Sequence, residues 1–174
     1  AILQWPDTVR NSAALPYSGR NWVRPGIMLF GASPLQSHSA AELGLQPAMS
    51  FETRLISVKA VAMGQRVGYG GHWVAPRNSV LGIAAAGYAD GYPWHARSGT
   101  RVGIGNAFGT LVGRVSMDMI SIDLTDVPGA AIGDRVVLWG DGPGVEEVAA
   151  AANTIPWTLM TGINRRVAVR LDAG

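Results

Sequence analysis

The chain has 174 residues, 48% of them hydrophobic and 15% charged, a balance that belongs to globular proteins and excludes a disordered or low-complexity chain. Its 14 basic and 12 acidic residues leave a net charge of only +2. Although the pI is near 9.4, the arginines are scattered among acids, which argues for a solvated surface and against a nucleic-acid-binding stripe.

No apolar run approaches the roughly 20 residues of a membrane helix. With no cysteine, disulfides and thiolate metal sites are excluded, and the composition fits a reducing compartment. The sequence opens on Ala1-Ile2-Leu3 without methionine and without the charged flank of a signal peptide. The expectation is a chain that starts partway through a larger protein, with room for one domain and part of another.

Residues 1–22 scatter turn residues around short apolar pieces. Trp22 to Gly31 is a short apolar strand candidate whose ladder should begin only after Pro25, which cannot donate. Ser39-Ala40-Ala41-Glu42 fits a capping box, with Gly44 stopping a very short helix. Pro47 is the best boundary, dividing 1–46 from 47–174.

Strands then follow one another. Met49 to Val61 slips in its alternation near Leu55-Ile56, which suggests a bulge or burial on both faces. Val80 to Ala86 is a short buried run, and Thr100 to Arg114 reads as a hairpin with Gly105-Asn106 near its tip. Val115, Met117 and Met119, then Ile120, Ile122 and Leu124, read as one alternating strand with a slip. Arg135 to Trp139 is another. Helices are expected over Val145–Ala152 and from Thr154 to Gly162, and Arg166 to Leu171 reads as a closing strand. Short strands with turn signals between them predict a mainly β, antiparallel barrel or sandwich, with residues 48–140 closed or nearly closed and at least half of them in strands.

The chemistry concentrates between Met63 and Tyr92, which holds three of the four tyrosines. Tyr69 lies in Gly68-Tyr69-Gly70-Gly71 and Tyr88 in Gly87-Tyr88-Ala89-Asp90-Gly91. Glycines around a tyrosine admit the close approach of a backbone or ligand, and a phenol there can donate a proton or, with its pKa lowered, act as a base. The plainer reading is a pair of strand-end turns, which this window alone favours.

His38, His72 and His95 lack metal-ligand spacing. Gly103-x-Gly105 and Gly140-x-Gly142 sit in no βαβ unit and read as turns. Asp118, on an otherwise apolar segment, must be paired, exposed at an edge, or placed for function, and Arg114 shares that ambiguity. The only lysine, Lys59, sits mid-strand beside no activating charge and reads as outward-facing.

Four segments taken together, Val23-Arg24-Pro25-Gly26-Ile27-Met28-Leu29-Phe30-Gly31, Val67-Gly68-Tyr69-Gly70, Gly87-Tyr88-Ala89-Asp90-Gly91-Tyr92 and Gly113-Arg114-Val115-Ser116-Met117-Asp118, resemble alanine racemase in order and spacing, from about Asn21 to Val169. The resemblance implies the last strand and helix region of a truncated (β/α)8 barrel over 1–46, followed by the family's C-terminal β domain. It implies a cytoplasmic enzyme that interconverts L- and D-alanine with pyridoxal 5'-phosphate, works as a homodimer and supplies D-alanine for peptidoglycan.

By position, the resemblance makes Tyr69 the catalytic base on one face of the substrate. The cofactor-bearing lysine of the other face belongs to the absent half, so the isolated chain should be inactive. Arg24 matches the arginine at the pyridine nitrogen, Gly26 and Ile27 the backbone donors to phosphate, and Ser12 the phosphate-binding serine. Met117 matches the residue whose amide meets the substrate carboxylate; Tyr88 and Arg114 line the entrance, with Asp118 beside it. No metal is implied. Arg165 stands where the family often has a tyrosine, and the hairpin tip Gly103-Ile104-Gly105-Asn106 departs from the usual pattern.

Other readings are a broader-specificity amino-acid racemase, a decarboxylase on the same barrel, or a non-catalytic β-barrel interaction module. The decarboxylases carry a cysteine-containing motif near Ser116-Met117-Asp118. The module reading needs Arg24, Tyr69 and Tyr88 far apart.

Overall fold

The computed structural model describes residues 26–35 and 37–171. The chain divides into two compact units, 1–46 and 47–174. In the first, Gly26–Phe30 forms a single 3-10 turn, where the apolar run had suggested a strand. Gly26 has φ +56°, outside the extended region a strand needs, and the turn closes through Gly31 N–H donating to the Met28 carbonyl at 3.1 Å. Residues 22–25 of that candidate lie outside the described residues.

The expected capping box is present. Ser39 N–H donates to Glu42 Oε2 at 2.7 Å, and Glu42 N–H donates to Ser39 Oγ at 3.3 Å. One helical turn follows and ends at Gly44, which has φ +67°.

In the second unit, six strands close into an antiparallel barrel in the order β1-β4-β7-β6-β5-β8: β1 (Phe51–Val61), β4 (Ser79–Ala84), β5 (Arg101–Ile104), β6 (Ala107–Val112), β7 (Ile120–Asp123) and β8 (Arg135–Trp139). β1 is long enough to pair with β4 through its second half and with β8 through its first, Phe51 facing Trp139. The expected irregularity is there: the β1–β4 register shifts between Leu55 and Ser57, an extra residue that bends β1 into the barrel.

The interior is filled by residues such as Leu55, Leu81, Leu111, Ile122, Leu138 and Trp139, each no more than 1% exposed. A barrel this narrow needs small residues where side chains converge. A Cβ on Gly82 would stand 2.5 Å from Leu124 Cδ1 and 2.8 Å from Leu55 Cδ2.

A two-stranded excursion, β2 (Arg66–Val67) and β3 (Trp73–Val74), lies between β1 and β4. Val67 and Trp73 pack on the buried cluster of Val61, Ala75, Leu81 and Val112, which seats the excursion against the barrel. Helices α1 (Val145–Ala151) and α2 (Pro156–Thr161) follow β8, with Val148 and Leu159 buried and Pro156 at the first helical position, where its missing N–H costs nothing.

Three expectations are corrected. Fewer than half of residues 48–140 are in strands, because long connections join the short strands of the closed barrel. Residues 115–119 form a loop, with β7 beginning at Ile120: Ser116 N–H and hydroxyl both donate to the Met119 carbonyl, at 3.0 and 2.7 Å, and Met119 N–H returns to Ser116 Oγ at 3.1 Å. This local bonding outcompetes the ladder. Residues 166–171 are likewise not a strand. Asn164 turns the chain there, its Oδ1 accepting from Arg166 N–H at 3.2 Å and its carbonyl from Val167 N–H at 3.0 Å.

Candidate active site

The loop 113–119 is the hub on which the predicted residues of the second unit assemble. Tyr69 sits on a 3-10 turn, Tyr69–Gly71, at the tip of the β2–β3 excursion. Gly68 enters it at φ +77°, and the turn closes through Gly71 N–H donating to the Gly68 carbonyl at 3.1 Å. Arg66 Nη1 braces it from below, donating to the Gly71 carbonyl at 3.3 Å. The Tyr69 turn lies against the hub: a Cβ on Gly68 would meet Arg114 N at 3.9 Å, and one on Gly113 would meet the Val67 carbonyl at 3.5 Å. Tyr69 itself is 75% exposed.

Tyr88 opens the next 3-10 turn, Tyr88–Asp90, which is bonded to the hub's other side. Tyr88 N–H donates to the Ser116 carbonyl and Ala89 N–H to the Met117 carbonyl, both at 3.0 Å. The approach is so close that a Cβ on Gly87 would run into both carbonyls. Here glycine is required by space rather than by dihedral angle, since Gly87 has φ −148°.

Asp90 ties the turn on both oxygens. Oδ2 accepts from Gly87 N–H at 2.8 Å, and Oδ1 accepts from Arg166 Nε at 2.6 Å. Arg166 Nη2 also donates to Asp118 Oδ1 at 2.5 Å. The Asp90 and Asp118 carboxylates together hold the Arg166 guanidinium above its usual pKa.

Between the Tyr69 turn, the loop and the barrel strands that carry Ile83 and Ser121, a groove of about 410 Å³ is lined by Gly68, Tyr69, Arg114, Ser116 and Met119 as well. A second groove of about 770 Å³ also takes in Arg114, with His72, Trp94, His95 and Arg97. Among the described residues neither Arg114 nor Arg97 donates a side-chain hydrogen bond, and the Met117 N–H has no backbone or side-chain acceptor. No group of His, Asp or Glu among the described residues could hold a metal ion.

Tyr69, Tyr88, Arg114, Met117 and Asp118 are therefore brought to one loop and its two flanking turns. Gly26 and Ile27 lie in the first unit, at the start of its 3-10 turn. Ser12 and Arg24 lie outside the described residues. Lys59 is exposed on β1, opposite Leu81. Arg165 is exposed beside the Asn164 turn. The sequence reading missed Arg166, which it had placed in a strand, and gave Asp90 no role. An acid three residues after Gly87, at a helix start, was the available signal.

A closed six-stranded antiparallel barrel thus carries the loop 113–119 and its two flanking turns. The comparisons identify it. Residues 48–171 match the family model of the alanine racemase C-terminal domain, and the chain belongs to that family. It is 53% identical to an alanine racemase of Laribacter hongkongensis, over 98% of this chain and 49% of that protein. With the biosynthetic alanine racemase of Pseudomonas aeruginosa it shares 50% identity, over 92% of this chain and 46% of the relative.

The crystal structure of the biosynthetic Pseudomonas aeruginosa alanine racemase superposes with a TM-score of 0.85 at 50% identity, covering 88% of this chain and 43% of that one. That of the Acinetobacter baumannii alanine racemase gives 0.77 at 38% identity, covering 81% and 39%. The chain spans about half the length of the relatives it matches. No helix among the described residues is long and apolar enough to cross a membrane.

Proposed function

We propose that this chain is the tyrosine-bearing half of a pyridoxal-phosphate-dependent racemase that interconverts L- and D-alanine, supplying D-alanine for peptidoglycan. The observation that carries the reading is the hub: one loop abuts the Tyr69 turn, bonds the Tyr88 turn, and leaves the Met117 N–H open. Inverting a stereocentre needs a base on each face. Tyr69 is the base on one, and a lysine in the half not spanned here is the base on the other.

The Met117 amide receives the substrate carboxylate, which holds Cα within reach of the phenol. Arg114 and Tyr88 line the way in, with Asp118 beside them. The first amides of a helical turn have no internal acceptor, and among the described residues nothing lies within 4 Å of a Cβ built on Gly26. The Gly26 and Ile27 N–H groups are therefore available to a phosphate, with Ser12 and Arg24 assigned to the same cofactor by motif position. Pyridoxal phosphate, when bound, supplies the electron sink that makes the α-C–H acidic. Arg24, always charged, keeps that sink weak enough to favour racemisation over transamination.

The exposed Tyr69, Tyr88, Met117 and Met119 form an apolar face of the kind that a partner surface covers. A homodimer that shares its active sites, in the cytoplasm, accounts for it. The test is the full-length protein with pyridoxal phosphate, assayed by chiral chromatography for D-alanine from L-alanine. A holoenzyme that leaves alanine unchanged overturns the reading. A holoenzyme that racemises other amino acids as fast would make it a broader-specificity enzyme.

A further inference from the structure

Arg166 lies outside the groove that holds Tyr69, yet it joins the Tyr88 turn to the loop whose Ser116 and Met119 line that groove. Its Nε bonds Asp90, in the Tyr88 turn, and its Nη2 bonds Asp118, next to Met117. Asp90 is the less exposed partner, its side chain 14% accessible against 54% for Asp118. Asp90 is also held by the Gly87 N–H, while its carbonyl accepts from Asn164 N–H at 3.1 Å. Arg166 thus arrives on a turn already pinned to the Tyr88 segment and reaches across to the Met117 segment. The two backbone bonds from Tyr88 and Ala89 to the Ser116 and Met117 carbonyls run the same way.

Carbonyls that face the Tyr88 turn orient the following peptide units, so the direction of the Met117 N–H depends on how firmly residues 116–118 are held. The only side-chain grip on Asp118 among the described residues is Arg166. A planar guanidinium with two donors in fixed geometry suits such a bridge, and a lysine would serve one carboxylate at a time.

We propose that Arg166 is a positioning residue for substrate carboxylate binding, acting through Asp118 and the Met117 amide without touching the reacting atoms. This rests on the proposed alanine racemase activity. The Tyr69 turn is braced independently, by Arg66 and by its packing on the barrel end, so loss of Arg166 weakens substrate binding and leaves proton transfer nearly intact.

The experiment uses the full-length holoenzyme. Arg166→Gln should raise KM for alanine about fivefold or more and change kcat less than about threefold; exposed pairs couple weakly one by one, and here two act together. Arg166→Lys should recover part of the KM. Asp118→Asn should raise KM in the same direction, and the double variant should be no worse than Arg166→Gln, since both remove one bridge.

Hydrogen exchange supplies a readout independent of turnover: in Arg166→Gln the amides of residues 87–92 and 116–119 should exchange faster, while those of 66–74 stay unchanged. An unchanged KM, a fall in kcat alone, or exchange that speeds up throughout the barrel overturns the proposal. A wild-type enzyme that does not racemise alanine overturns the functional reading instead, and the exchange pattern still decides whether Arg166 holds the two segments together.

Discussion

The Tyr88 amide donates to the Ser116 carbonyl at 3.0 Å, across a gap that only a glycine at position 87 leaves open. Tyr88 and Ser116 are far apart in sequence, and their bond brings the Tyr88 turn against the loop that carries Met117.

That contact sets the first expectation. Gly87→Ala places a methyl against the Ser116 and Met117 carbonyls, which are backbone atoms and cannot rotate away. Stability should fall by about 1–3 kcal/mol, the usual cost of overpacking, read by denaturant unfolding. Gly144→Ala is the control, since among the described residues a Cβ there meets nothing within 4 Å and its φ of −62° suits any residue; it should cost less. Equal losses at the two positions would deny the close approach any special weight.

Tyr69→Phe should keep the fold, because the side chain is 75% exposed and loses only a solvated hydroxyl. In the full-length enzyme turnover should fall about 10²–10⁴-fold, most for the enantiomer whose α-proton faces the phenol. Exchange of the α-hydrogen with deuterated water should persist for the other isomer. Wild-type rates in both directions would reduce Tyr69 to a strand-end tyrosine.

Tyr92 is 1% exposed, and its hydroxyl has no partner among the described residues. Tyr92→Phe should therefore be neutral or stabilising, since it removes a desolvated polar atom and keeps the ring. Burial pushes the phenol's pKa far up. A group whose folded pKa is raised contributes nothing adverse below its unfolded value, about 10, and costs stability as pH rises above it. The variant should resist alkaline unfolding better than the parent, measured by circular dichroism between pH 9 and pH 12. Equal alkaline midpoints would show that the phenol ionises as readily in the folded chain as in the unfolded one.

Glu52 on β1 lies diagonally across the barrel seam from Arg135 on β8, with Arg135 Nε donating to Oε2 at 2.8 Å. That hydrogen bond is the main cause lowering the carboxyl's pKa. The stabilisation is fully present above the unfolded carboxylate value and is lost as pH falls through the lowered folded one. Because both side chains are more than a third exposed, Glu52→Gln should cost under about 1 kcal/mol at pH 7. The difference should fade as pH drops through the lowered folded value and shrink in molar salt. A deficit that does not change with pH would point to packing rather than charge.

Legibility in the sequence followed the range of the forces involved. The bulge near Leu55, the hairpin tip at Gly105-Asn106, both helices and the capping box at Ser39 are written in local residue chemistry, and each is found. Met117 and Met119 look like strand residues because alternation of apolar side chains reads the same in a loop whose serine bonds its own backbone. Asp118 was open among pairing, an edge and function; its partner is Arg166, 48 residues away, and no local pattern announces such a pair. The tyrosines were conspicuous for their glycines, but only the fold reveals that Gly87 admits a second segment of backbone, while Gly68 starts a turn.

The barrel's seam also dictates the order in which the domain can be made. Phe51 pairs with Trp139, so β1 waits for β8, the last strand among the described residues, before its outer edge is covered. A chain leaving the ribosome holds an unpaired β1 edge until Arg135–Trp139 has emerged, and long-range closures of this kind are slow and exposed to wrong partners. Tyr69 and the Met117 loop are both synthesised before that moment, so the face that carries them takes its shape only when the closing strand arrives.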